Sequence, residues 1–158
     1  MSIKAIETTY QGYKFRSRLE ARWAVFFDAM NWEWQYEKEG FILPSGWYLP
    51  DFWIETINMW AEVKPKPLEK IEKKLVRELA IESFPVLCLD TPEPINLPYS
   101  GYTRDGELCE FCLTNYHDYP HKEHRLFAAP ANYECWWQDT EDAITTARSA
   151  RFEHGETG

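Results

Sequence analysis

Asp51, Glu62 and Lys64 combine residue types and a spacing that could do chemistry. Glu62 and Lys64 are two positions apart, so on a strand their side chains leave the same face. Ala61 and Val63 then point the opposite way, into a core. Ten residues lie between Asp51 and Glu62, and a hairpin needs only about four of them for its turn. A short hairpin would therefore set Asp51 beside Glu62. Two carboxylates offer hard oxygen ligands to Mg²⁺ (or Mn²⁺), an ion that keeps several waters and uses few protein groups. Such an ion polarises a phosphate and lowers the pKa of a bound water. A neighbouring lysine orients that water and stabilises the charge that develops in the transition state. The chemistry these residues suit is hydrolysis of a phosphodiester.

The plain alternative is a cross-strand salt bridge on a solvated face, since 27% of the chain is charged and Glu-x-Lys alone is common. The flanks argue against it. Leu49-Pro50 precedes Asp51, Phe52-Trp53 follows it, and Trp60-Ala61 precedes Glu62. Charges set in such apolar strands need a partner or a metal. With Pro50-Asp51-Phe52 followed by Ala61-Glu62-Val63-Lys64, the chain resembles the PD-(D/E)xK, restriction-endonuclease-like nucleases. The patterns FRSRLEARWA, YLPDF and a strand ending in EVK are also similar to those of small phage and bacterial proteins. The resemblance covers residues 10–64, and ARSARFEHGE near residue 150 is similar too. It implies a mixed sheet flanked by helices and Mg²⁺-dependent nuclease chemistry; we expect DNA as the substrate, with branched or structured DNA as one form of it. It also implies that Glu20, on the first helix, completes the catalytic metal site with Asp51 and Glu62. Pro65 stands where a glycine is common, which restricts the backbone but removes no ligand. Glu20 has a second reading, because Ser17-x-x-Glu20 is a capping box.

The elements that must position these residues are legible as changes of period. Residues 17–30 place Leu19, Trp23, Phe26, Phe27 and Met30 at spacings of three and four, the stripe of an amphipathic helix. Residues 31–37 switch to a period of two, with Trp32, Trp34 and Tyr36 on one face, and predict a strand that continues through 41–43. Runs at 47–54 and 59–63 complete an antiparallel meander, with its last turn at Asn58. Residues 67–83 predict a second helix, with Leu68, Ile71, Leu75 and Leu79 as its buried stripe and Val76 and Ala80 widening it. The apolar 85–89 predicts a buried strand, parallel to its neighbour across the helix. No period holds from 90 to 130, and 139–152 predicts a last helix. The fold class expected is α/β (α+β): one domain with a core at 1–90 and a loop-rich 91–158 whose final helix packs on it.

Length, charge and cysteines bound the rest. A 158-residue chain with eight tryptophans can bury a sizeable core. No apolar run reaches the roughly 20 residues of a membrane span, and the first residues lack a secretory pattern. We expect a cytoplasmic protein without a membrane partner. The net charge is −9, unfavourable for phosphate binding, yet residues 1–80 carry twelve basic and twelve acidic residues, leaving the whole excess in 81–158. Lys14, Arg16, Arg18 and Arg22 are candidate phosphate contacts, while Lys66, Lys70, Lys73 and Lys74 read as a solvated helix face. The acidic second half also suits a non-catalytic protein that binds a basic host protein, such as a phage counter-defence factor. Analogy with two-strand cutters suggests a homodimer. Cys109 and Cys112 form a C-x₂-C knuckle, half of a zinc site, with His117, His121, His124 or Cys135 as candidates for the other half. Two reduced thiols are the alternative, and Cys88 reads as a core residue.

Overall fold

The computed structural model describes residues 5–111, 113 and 134–152, with the backbone alone for 134–139. A hairpin comes first, β1 (Thr8–Tyr10) pairing antiparallel with β2 (Tyr13–Phe15). Gln11 and Gly12 turn it with φ of 52° and 80°, and two successive positive φ values match the twist of a tight hairpin. Helix α1 (Arg18–Ala29) follows, capped by Ser17, whose Oγ accepts the Glu20 N–H at 3.1 Å. Trp23, Phe26, Phe27 and Met30 are buried on it, as their spacing predicted.

Next come β3 (Trp34–Tyr36), β4 (Phe41–Leu43), β5 (Gly46–Tyr48), β6 (Phe52–Ile54) and β7 (Met59–Val63). Helix α2 (Lys70–Glu82), β8 (Val86–Leu89), β9 (Tyr99–Tyr102), β10 (Leu108–Phe111) and α3 (Glu134–Ser149) complete the described chain. Six strands form one mixed sheet in the order β10-β9-β8-β7-β6-β3. β7 and β8 are parallel, joined across α2, and the other pairs are antiparallel.

Each strand of the sheet centre splits its side chains between two cores. Phe52, Ile54, Met59, Ala61, Val63, Leu87 and Leu89 face the aromatic core built by α1 and α3. Trp53, Trp60, Val86 and Cys88 face α2, where Val76, Leu79 and Ala80 close the second core. The result is a mixed sheet with helices on both faces, the layered arrangement that lets a two-sided apolar sheet bury both faces.

The structure corrects several details. The run at 47–54 is not one strand: it breaks at Leu49-Pro50-Asp51, and β5 pairs with β4 in a separate hairpin. β3 therefore pairs directly with β6, and β4–β5 is an excursion from the sheet edge. Pro50 has no N–H to offer a ladder, so a break there is physically reasonable. The segment after 90 contains the β9–β10 hairpin. Its pattern is hidden because Gly101 sits where a Cβ would come within 2.4 Å of the Phe111 ring and 2.5 Å of the Val86 carbonyl. Helix α2 starts at Lys70 behind a Glu69–Glu72 capping box, and Ile71, expected in its stripe, is exposed. Helix α3 begins at Glu134, earlier than its period suggests, and ends at Ser149.

Candidate active site

The turn between β6 and β7 is the four residues 55–58, a single 3₁₀ turn closed by Asn58 at φ 51°. It sets Phe52 opposite Ala61, and continuing that register by one residue sets Asp51 opposite Glu62. Trp53, Trp60 and Cys88 mark the α2 face, and by alternation Asp51, Glu62 and Lys64 share it. The sequence expectation of convergence at one end of the sheet is therefore met in the geometry.

Asp51 is 7% exposed and its Oδ2 accepts the Val63 N–H at 2.8 Å. Glu62 is equally buried and accepts a hydrogen bond from the Tyr48 hydroxyl. Lys64 Nζ lies 3.7 Å from Glu62 Oε1 and 3.3 Å from Glu72 Oε1. Glu72 also accepts the Glu69 N–H at 2.7 Å, so one carboxylate caps α2 and holds the lysine. Glu20 reaches the cluster from α1, 8% exposed. It does not act as the reciprocal half of a capping box with the Ser17 N–H. Its carboxylate takes the Ser17 hydroxyl at 2.9 Å and the Tyr36 hydroxyl instead.

The charges of these groups act on one another. Burial, then the charges of Glu62 and Glu20, hold the Asp51 carboxyl well above the ordinary range, against the opposing Val63 N–H and Lys64. Burial pushes Glu62 up to about 7, with Tyr48 and Lys64 pulling down and Glu72 and Glu20 adding to the rise. Burial disfavours the Lys64 charge, yet Glu62 and Glu72 outweigh it and raise its pKa. Lys64 is therefore a persistent cation, a donor rather than a base. No family model, curated protein or solved structure matches the chain. Its chemistry has to be argued from these side chains.

A divalent ion fits this donor set. The oxygens are hard, and the buried carboxylates of Asp51, Glu62 and Glu20 repel one another. No group of three or more His, Cys, Asp or Glu among the described residues is disposed to hold a metal. A magnesium ion needs only one or two carboxylates, with water and phosphate oxygens completing its shell.

Other sequence candidates sort differently. Lys14 pairs with Glu7 at 3.1 Å and Arg16 with Glu37, which leaves Arg18 and Arg22 without ion pairs among the described residues. Cys88 is buried in β8, as expected. Cys109 lies on β10 as a free thiol, pushed up to about 11 by burial. Cys112, His117, His121, His124 and the Cys135 side chain lie outside the described residues. Sequence reasoning missed Tyr36, Tyr48 and Glu72. Only Tyr36 carried a signal, its period-two alternation with Trp34, and nothing in that signal pointed to Glu20.

The raised carboxyls set a pH dependence in protein stripped of divalent ions by a chelator. Glu62 has a folded pKa of about 7, above the roughly 4.3 of an unfolded glutamate. Its contribution to stability is full below about pH 4 and is lost as pH rises from there to about 7, about 4 kcal/mol in all. Asp51 acts with the same sign. Urea midpoints across pH 4 to 8, compared with Glu62→Gln, isolate the effect. The wild type should lose stability relative to the variant as pH rises, and parallel curves would contradict the buried-carboxyl picture.

Proposed function

We propose that the chain is a Mg²⁺-dependent DNA endonuclease, with Asp51 and Glu62 as ion ligands and Lys64 as the charge-stabilising donor. The observation that carries this reading is the burial of Asp51 and Glu62 beside Glu20 and one lysine at the end of a sheet. A structural salt bridge would pair charges; this cluster holds more carboxylate than Lys64 can balance. When bound, the ion would polarise a phosphate oxygen and lower the pKa of an attacking water.

The chain's own groups do the rest. Lys64 offers N–H donors beside Glu62, where a phosphoryl oxygen gathers charge in the transition state. Glu72 keeps Lys64 at the site and protonated. Tyr48 and Tyr36 hold Glu62 and Glu20 in place by donating to them. Water adds at phosphorus, the ester oxygen leaves with a proton, and a phosphomonoester and a free hydroxyl result. The resemblance at Pro50-Asp51-Phe52 and Ala61-Glu62-Val63-Lys64 supplies the choice of DNA, and structured or branched DNA is the substrate to examine first.

The test is incubation with linear, nicked, branched and single-stranded DNA, and with RNA, in Mg²⁺ or Mn²⁺. Metal-dependent scission of DNA is expected. Failure to cut any DNA would sink the reading, and preference for RNA would move it to another substrate. The acidic second half favours one other reading, a non-catalytic protein that binds a basic host protein. A stoichiometric partner recovered from host extract, together with calorimetry showing no divalent-ion binding, would select that reading.

A further inference from the structure

Between α1 and the residues that follow α3 lies a small cavity lined by Arg18, Arg22, Ala150, Arg151 and Phe152. Arg18 and Arg22 are four residues apart and share a face of α1. Arg151 comes from the far end of the chain. The neighbouring basic residues are spoken for: Lys14 pairs with Glu7, Arg16 with Glu37, and Arg148 with Glu93 at 2.8 Å. Arg18, Arg22 and Arg151 have no ion pair among the described residues.

Arg22 Nε is buried and has no hydrogen-bond partner among the described residues. Leaving a buried donor unsatisfied is costly, more so on a charged group, and an incoming acceptor would relieve it. The cavity measures about 100 Å³, room for one tetrahedral oxyanion. Guanidinium forks match the oxygens of such a group in pairs.

We propose that this cavity takes one phosphate group of a bound nucleic-acid strand. The inference rests on the nucleic-acid reading above and deepens it. At 3.6 residues per turn, Arg18 and Arg22 lie on the opposite side of α1 from Glu20. The phosphate gripped here is thus not the one to be cut. The pocket anchors a flanking part of the strand, in a protein whose overall charge opposes nucleic acid.

Arg18→Gln/Arg151→Gln is the first test, because both side chains are exposed and their loss should leave folding intact. Arg22→Gln is the second. Binding of a labelled DNA duplex is followed by anisotropy in Ca²⁺ across a salt series, and inorganic phosphate binding by calorimetry. The double variant should bind DNA about ten-fold more weakly at low salt. Its slope of log affinity against log salt should fall by about 0.9, the amount for one phosphate no longer neutralised. Phosphate binding should disappear, with the melting temperature unchanged. Affinity and slope equal to wild type would overturn the proposal. So would phosphate bound in the cavity with DNA affinity unaffected, since that outcome assigns the cavity to a free anion. Arginine-dependent DNA binding without metal-dependent cutting would retain this site and sink the nuclease reading. Cutting without arginine-dependent binding would do the reverse.

Discussion

Lys64→Ala should lower the rate of DNA cutting by about 10²–10³-fold at saturating Mg²⁺, the usual cost of removing one transition-state donor. The expected loss is in kcat. The lysine is 36% exposed and its partners are Glu62 and Glu72, so its removal should cost at most about 1 kcal/mol of stability. Single-turnover cleavage, thermal melting and DNA anisotropy on the same preparation separate these effects. Equal loss of binding and cutting would place Lys64 in ground-state phosphate binding instead. Because its pKa is raised by two carboxylates, the wild-type rate should show no titration of Lys64 between pH 7 and 9.

Asp51→Asn should act in two directions. Cutting should fall by about 10³-fold or more, since the several kcal/mol an ion supplies depend on its ligands. Chelator-treated protein, by contrast, should become more stable at pH 8, by about 1–3 kcal/mol. Asp51 is buried beside Glu62 and Glu20 and its ionised form is disfavoured. Asparagine is neutral, keeps an acceptor for the Val63 N–H, and can donate toward Glu62. Denaturation in chelator and in Mg²⁺ checks both parts. Wild type should gain stability with Mg²⁺ and the variant should not. A variant destabilised in chelator would show that the carboxylate is a structural partner and not a site held in readiness for a cation.

The convergence of Asp51, Glu62 and Lys64 was legible because it depends on local rules. Met59 to Val63 alternate between two cores, and Asn58 takes the left-handed turn conformation that its side chain favours. The helix α1 stripe and the parallel β7–β8 pair follow from spacing of the same kind. What stayed hidden depends on partners far along the chain. Three-residue strands such as β4 and β5 are too short to show a period, so β4 reads as an extension of β3, and β5, which brings Tyr48 to Glu62, as the start of β6. Glu72 carries no signal, because nothing within α2 indicates that Lys64 lies 3.3 Å away. Arg151 meets Arg18 and Arg22 only because α3 packs along α1. Ile71 fitted the helical stripe and yet is exposed, since the second core is centred on Val76, Leu79 and Ala80.

The proposed nuclease chemistry depends on a cation held at the end of β6 and β7. Crystals soaked in Mn²⁺ and measured at the manganese absorption edge test it directly. An anomalous peak within about 2–2.5 Å of oxygens of both Asp51 and Glu62, absent from crystals of Asp51→Asn, is the expected result. A map with no peak at these carboxylates, from crystals that bind Mn²⁺ elsewhere or not at all, would contradict the assignment.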